Sequence, residues 1–408
     1  MRACWMPTSR SLPAAAVARG CTTSADTLRL PFTCSLATGR PLTEALPAVV
    51  AAPVRAHMLT WSDVAAGIML NKGVLQGAIS GRAGLERELL LRSRSTWMPL
   101  APGFEVVLLA SCPGAAAADH STVPPTPSWW LPDDAPLPKM HWRCFSGREK
   151  LGISLWRKTG ALLAVLLRTC PTKRYYLKID SDTLLLPNAV LIFLRALHSA
   201  TPRGVPLYFG SNRISARRLF CQKRHCLMSS PHWRDLFANS SSISGGGGGG
   251  GGGEAEHEGF CESSDASYAQ GGAYGFDRHA LMALVRDDCL ERVAGAVRAH
   301  TGKGELFEDE AVGLCMRLRR VRLVTCGCFY DWGPCDIGQP AASCRPDTNA
   351  SRVCHFPLTV HKLKQLAWFD GWWRLFSGRE PAVLRALGEW EVANGRQAKS
   401  MLRGIHYQ

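Results

Sequence analysis

The chain lacks any apolar stretch long enough to cross a bilayer as a helix, which takes roughly 18 residues. Its most apolar early segment, residues 45–54, is broken by Pro47 and Pro53 and ended by Arg55. It lacks paired C-x-x-C knuckles, so the ligand spacing of a zinc ribbon is absent. It has no basic run interleaved with aromatics and no nucleic-acid-binding motif, which argues against DNA or RNA as partner. Its one long glycine run is not followed by Lys-Ser or Lys-Thr, which excludes a P-loop. Acids are the scarcer charge, 33 against 48 Lys and Arg. The first 25 residues hold Arg2, Arg10 and Arg19 and no acid, a faint transit-peptide character.

What is present bounds the rest. The 408 residues suffice for one large catalytic domain or two modest ones, and 46% apolar content allows a substantial core. A net charge of +15 suits an anionic substrate, nucleic acid or an anionic membrane, and a nucleotide diphosphate is a sufficient anionic partner. Sixteen cysteines is a high count, and Cys326, Cys328, Cys335, Cys344 and Cys354 fall within 29 residues. Buried free thiols and zinc are alternatives, but disulfides in an oxidising lumen are the favoured reading. The sequons Asn239-Ser240-Ser241 and Asn349-Ala350-Ser351 agree with it.

Residues 1–66 are rich in Ala, Pro and Ser without a clear period and read as leader or stem. A strand over Val74–Ser80 and a helix over Arg82–Arg94 are expected next. Phe104–Cys112 reads as a buried strand. Residues 113–138, with seven prolines, read as a loop. Ser154–Thr169 reads as a helix, followed by a strand ending at Asp180. Asn188–Ala200 reads as a helix and Val205–Ser211 as a strand. Residues 238–259, with nine consecutive glycines, are a low-complexity insert. Helices over Arg278–Ala299 and Glu308–Arg319, then a strand over Val321–Cys326, complete the pattern. Strands alternating with helices predict an α/β fold with a largely parallel central sheet flanked by helices.

The chemistry centres on Lys178-Ile179-Asp180-Ser181-Asp182-Thr183. An apolar strand delivers two carboxylates to its end, and residues i and i+2 of a strand share one side. Two hard oxygen ligands can hold a divalent cation beside a phosphate. Asp at a strand end is also ordinary turn chemistry. Four more pieces accompany this one: Arg94-Ser95-Thr96-Trp97, Trp156-Arg157-Lys158-Thr159, Tyr268-Ala269-Gln270-Gly271-Gly272-Ala273-Tyr274, and Glu308-Asp309-Glu310-Ala311-Val312-Gly313. Lys158 reads either as a partner for phosphates or as a surface lysine. Gly271-Gly272 reads as a close backbone approach or a turn. Tyr274 reads as a stacking platform or a core tyrosine, and Trp97 as core. The acids Glu308 and Asp309 also suit a helix N-terminus as such.

In this order the pieces resemble the β1,3-glycosyltransferase family of fringe proteins, β1,3-galactosyltransferases and the core-1 galactosyltransferase, whose pattern runs R-x-T-W, W-x-K-T, D-D-D, Gly-Gly, E-D-x-x-x-G and a late His. The resemblance covers about residues 74–370, with W-x-K-T and K-x-D-x-D-T closest to the core-1 type. It implies a GT-A-like nucleotide-binding domain over 67–370 and a C-terminal helical tail over 371–408. It implies inverting transfer of a hexose, galactose favoured, from a UDP-sugar to a hydroxyl of a glycan or glycoprotein, in a β1,3 linkage. Asp309 would be the general base and Glu308 would bind substrate or orient it. Arg94, Lys158, Asp180, Ser181, Gly271 and Gly272 would bind the donor. Asp180, Asp182 and a late histidine would hold Mn²⁺; His361, after Leu358-Thr359-Val360, fits the family's segment better than His355. The central Asp of D-D-D is Ser181 here. Golgi or another secretory lumen, membrane association of the full-length protein and a homodimer are the implied setting. The alternative is a non-catalytic luminal chaperone or glycan-binding relative on the same fold.

Overall fold

The protein is described here by a computed structural model, which covers residues 34–36, 59–71, 73–112, 123–130, 137–145, 155–201, 204–213, 268–301, 307–321, 323–326, 329–330 and 358–377. The glycine insert, both sequon asparagines, His355, most of the late cysteine cluster and the tail beyond residue 377 lie outside the described residues.

Strands β1 (Cys34–Leu36), β2 (Val64–Leu70), β3 (Glu105–Ser111), β4 (Lys139–Phe145), β5 (Tyr175–Asp180), β7 (Tyr208–Arg213), β8 (Tyr268–Asp277) and β9 (Leu323–Cys326) form the central sheet in the order β1-β9-β7-β8-β5-β2-β3-β4. Seven of them make its body, and β1 joins antiparallel at one edge. The sheet is mostly parallel: β2 pairs in parallel with β3 and β5, β3 with β4, and β7 with β9. Only β8 runs against both its neighbours, β5 and β7. A second, small sheet joins β10 (Phe329–Tyr330), β11 (Thr359–Val360) and β6 (Leu184–Leu185).

Side-chain alternation builds two cores from the same strands. Ala66, Ile68, Val106, Leu108, Leu177 and Ile179 face helices α1 (Gly81–Ser95), α3 (Pro187–Ala200) and α7 (Leu366–Ser377), through Leu89, Leu90, Val190, Leu194, Phe369 and Trp372. Ala65, Val107, Leu109, Tyr176 and Phe276 face α2 (Leu155–Thr169), α4 (Arg278–Val285), α5 (Cys289–Thr301) and α6 (Glu308–Leu318), through Leu162, Leu166, Leu281, Val293 and Val312. With both faces covered, strands such as Val64–Leu70 read as unbroken apolar runs. The expected α/β class with helices on both faces is therefore present.

Three expectations differ. Val74–Ser80 is no strand: residues 73–77 turn, and the first strand of the sheet body is β2, which begins at Val64 within the segment read as leader. β4 was absent from the sequence reading; Met140, Trp142 and Cys144 alternate there with Lys139, His141 and Arg143. The single helix expected over Arg278–Ala299 is two, because Asp287 and Asp288 adopt positive φ (57° and 48°) between α4 and α5.

Two disulfides occur among the described residues. Cys112–Cys144 joins the ends of β3 and β4, and Cys289–Cys315 joins α5 to α6. They fit an oxidising compartment. No helix among the described residues is long and apolar enough to cross a membrane.

Candidate functional site

The carboxyl ends of the parallel strands β2, β3 and β5 lie along one edge of the sheet, where open α/β sheets bind ligands. Strand β5 ends at Asp180. The chain then turns, with Thr183 N–H donating to the Asp180 carbonyl at 3.1 Å. Asp182 therefore sits in the turn, and the turn, not strand alternation, brings the two carboxylates together. Directly after it, β6 pairs antiparallel with β11, Leu184 opposite Val360. Leu363 N–H donates to the Asp182 carbonyl at 3.0 Å. This pairing carries His361 to the turn. Its Nε2 lies 3.0 Å from Asp182 Oδ1 and 3.3 Å from Asp180 Oδ2. The ligand atoms of Asp180, Asp182 and His361 lie within 4.8 Å of one another, a candidate metal triad. Two carboxylates and an imidazole fit a divalent cation such as Mn²⁺ better than a thiophilic one.

Because β8 runs against β5, with Ile179 opposite Ala273, Gly271-Gly272 lies beside the end of β5. A Cβ on Gly272 would fall 2.3 Å from His361 Nδ1, and one on Gly271 would fall 3.0 Å from Glu308 Oε1. The space both glycines leave is thus filled by two candidate site residues. Thr183 Oγ1 also donates to the Gly272 carbonyl at 3.0 Å. Gly272→Ala should displace the imidazole and weaken divalent-cation binding by at least about tenfold. Calorimetric Mn²⁺ titration of that variant checks this; unchanged affinity would contradict it.

The second group of acids opens α6. Glu308, Asp309 and Glu310 occupy its first turn, where the helix dipole favours negative charge, yet all three are buried. Gly313 explains how: a Cβ there would strike Tyr268 Cβ at 2.3 Å, so only glycine lets α6 lie this close to β8. Asp309 and Gly313 are four apart, on one helix face. The E-D-x-x-x-G spacing thus presses the acids against the sheet. Glu310 accepts from Tyr268 Oη at 3.2 Å, and Asp309 Oδ1 accepts from the Glu310 N–H at 3.0 Å. Burial, then the charges of Glu308 and Glu310, push Asp309 from the ordinary 3.8 to about 8.

Lys178 joins the two groups. Its Nζ, 1% exposed, donates to Asp180 Oδ1 at 2.6 Å, to Glu308 Oε1 at 2.7 Å and to the Gly271 carbonyl. Burial works against its charge, but Asp180 and Glu308 outweigh it and raise its pKa. Burial likewise disfavours the Asp180 anion, but the Lys178 charge and His361 hold its carboxyl down at about 2. Lys178 escaped the sequence reading, although a lysine two residues before an acid in an apolar strand shares that acid's side.

A second missed residue is Glu86 of α1. It accepts from Asn71 N–H at 2.7 Å and from the Asn71 side chain, and Ser181 hydrogen-bonds to it. Ser181 therefore faces a buried carboxylate at the acid turn. Lys158 also lies at this edge, buried and donating to the Leu70 carbonyl and to Ser111 Oγ, the latter at 2.9 Å. It is not the surface lysine that was one of its two readings. Arg94 is not brought to the acids: it lies two turns beyond Glu86, about 12 Å along α1, with its guanidinium 5.0 Å over Trp130. Trp97 and Tyr274 are core residues, packed on Phe104 and on Tyr208 and Phe276.

The chain matches no protein-family model, and no curated protein matches it.

Proposed function

We propose that the chain is an inverting, metal-dependent hexosyltransferase on a GT-A-like fold. It would take a UDP-sugar, UDP-galactose first, and form a β1,3 bond to a glycan or glycoprotein hydroxyl in the Golgi or another secretory lumen. One observation carries the reading: at the carboxyl edge of a mostly parallel sheet, Lys178 joins a two-carboxylate, one-imidazole cation triad to Glu308, the chain neighbour of the buried carboxyl of Asp309. The order of motifs in the sequence supports it independently.

Asp180, Asp182 and His361 would hold Mn²⁺, which when bound neutralises the charge of a departing diphosphate. Asp309 takes the proton of the acceptor hydroxyl as its oxygen attacks the anomeric carbon. The bond from that carbon to the UDP oxygen breaks with inversion, and UDP leaves with the electron pair. A base poised near the working pH is the effective one, and burial among acids gives Asp309 that basicity. Glu308 and Asp180 hold Lys178 between them, and Glu86 fixes the Ser181 turn next to where the donor would lie.

Release of UDP from a panel of UDP-sugars, with Mn²⁺ and glycan acceptors, tests this. Turnover of one donor, lost on chelation, is the expected result. UDP binding without turnover of any donor would favour the non-catalytic relative. Absence of both would overturn the reading.

A further inference from the structure

The opposite end of the parallel sheet holds a second cluster. Glu105 opens β3, His141 lies in β4, and Cys170 directly follows α2. β3 is seven residues long, which places this cluster about 20 Å from the carboxyl edge. Glu105 is in register with Lys139, so His141, two residues on, shares its face, the face α2 covers.

Two groups converge on a single oxygen. His141 Nε2 lies 2.8 Å from Glu105 Oε2, and Cys170 Sγ donates to the same atom at 3.5 Å. The other oxygen, Oε1, is held by Lys173 Nζ at 2.9 Å, and Lys173 is itself anchored on the Ser62 carbonyl at 2.7 Å. The carboxylate is therefore oriented through one oxygen and presents the other to the thiol and imidazole. Tyr176 Oη fixes the Cys170 backbone through its carbonyl at 2.7 Å. The three ligand atoms lie within 4.8 Å of one another. In a tetrahedral zinc site, bonds of about 2.0–2.3 Å put ligand atoms about 3.3–3.8 Å apart. The 3.5 Å between Cys170 Sγ and Glu105 Oε2 fits as it stands, and the imidazole, 2.8 Å from the same oxygen, would draw back slightly. Lys139 Nζ also approaches Oε2, at 3.9 Å, but its side chain is largely exposed and can swing into solvent.

We propose that Glu105, His141 and Cys170 form a second metal site, for Zn²⁺ or another thiophilic divalent cation, distinct from the oxygen-rich triad. Sulfur, imidazole and carboxylate are the ligand types that zinc takes, and three protein ligands leave a fourth position for water. On binding, the Cys170 thiol loses its proton to solvent and a metal–sulfur bond replaces the S–H···O contact. Thiolate and carboxylate then balance the cation, while Lys173 keeps Oε1 in the manner of a supporting outer contact. The ion would tie β3, β4 and the end of α2 together. Among the described residues Cys170 is the free cysteine, so its thiol is not committed to a disulfide.

The test uses the full chain, treated with chelator and kept free of reductant, titrated with Co²⁺. A thiolate ligand gives a near-ultraviolet sulfur-to-cobalt charge-transfer band, and a four-coordinate ion gives strong visible bands. Both should appear in the wild type, persist in Asp182→Asn, be lost in Cys170→Ser, and be displaced by Zn²⁺. His141→Gln keeps the thiol and should bind Co²⁺ at least about tenfold more weakly. Absence of the charge-transfer band in the folded wild type overturns the proposal, as does its persistence in Cys170→Ser. Should Cys170→Ser not fold, wild-type affinity in His141→Gln overturns it as well.

Discussion

Asp309→Asn is expected to lower turnover by about 10²–10⁴-fold while Mn²⁺ and UDP-sugar still bind. The amide keeps the shape and the hydrogen bond from the Glu310 N–H in reach, but cannot take a proton at working pH. Glu308→Gln should cost less turnover and act mainly on binding, because Glu308 is committed to Lys178. Steady-state kinetics at saturating donor and acceptor separate the two. Near wild-type turnover in Asp309→Asn with a dead Glu308→Gln would mean that the base is Glu308. The same carboxyl makes a prediction about stability. Folding raises Asp309 from 3.8 to about 8, so between those values the folded chain holds a proton that the unfolded chain has released. Stability from this group is therefore lost as pH rises through that window. Asp309→Asn removes the loss, and its melting temperature relative to wild type should climb between pH 4 and pH 8. A difference that stays flat would show that the carboxyl is not strained by burial.

Lys178→Met is expected to destabilise the fold by about 3 kcal/mol, because it leaves the buried Glu308 and the partly buried Asp180 without their common cation. For a chain of this size that is a drop of about 4–6 °C in Tm. The deficit should depend on pH. Lys178 and His361 depress Asp180 from 3.8 to about 2, so the stabilisation is present above 3.8 and lost as pH falls towards 2. Wild type and variant should therefore converge in Tm as pH falls through that range. Thermal melts across the range check it; a variant as stable as wild type at neutral pH would remove Lys178 as the link between the two acid groups.

The parts of the fold legible in the sequence are those whose pattern is local. Phe104–Cys112 reads as a strand because both faces of β3 are covered and its interior, residues 106–110, is an unbroken apolar run. β4 stayed hidden behind a proline-rich segment, although its alternating Met140, Trp142 and Cys144 carry an edge-strand signature. β8 was obscured because Gly271-Gly272 reads as a turn, whereas the ten-residue strand keeps glycine there to make room for Glu308 and His361. At the site, the paired acids, His361 and Asp309 could be picked out as residue types in an ordered series. The pairing of Lys178 with Asp180 was legible from their spacing on β5, but its bond to Glu308 of α6 and the bond between Glu86 and Ser181 were not, because those partners arrive from other elements. Arg94, singled out by its place in R-x-T-W, lies two turns beyond Glu86 on α1 and packs on Trp130.

On the proposed reading, a divalent cation held by Asp180, Asp182 and His361 recruits a uridine diphosphate. Calorimetric titration of UDP into the wild type with Mn²⁺, the wild type with chelator, and Asp182→Ala with Mn²⁺ tests it directly. Saturable binding with Mn²⁺ is predicted, weakened at least about tenfold by chelation and by the substitution alike. Equal UDP affinity in all three would contradict the account.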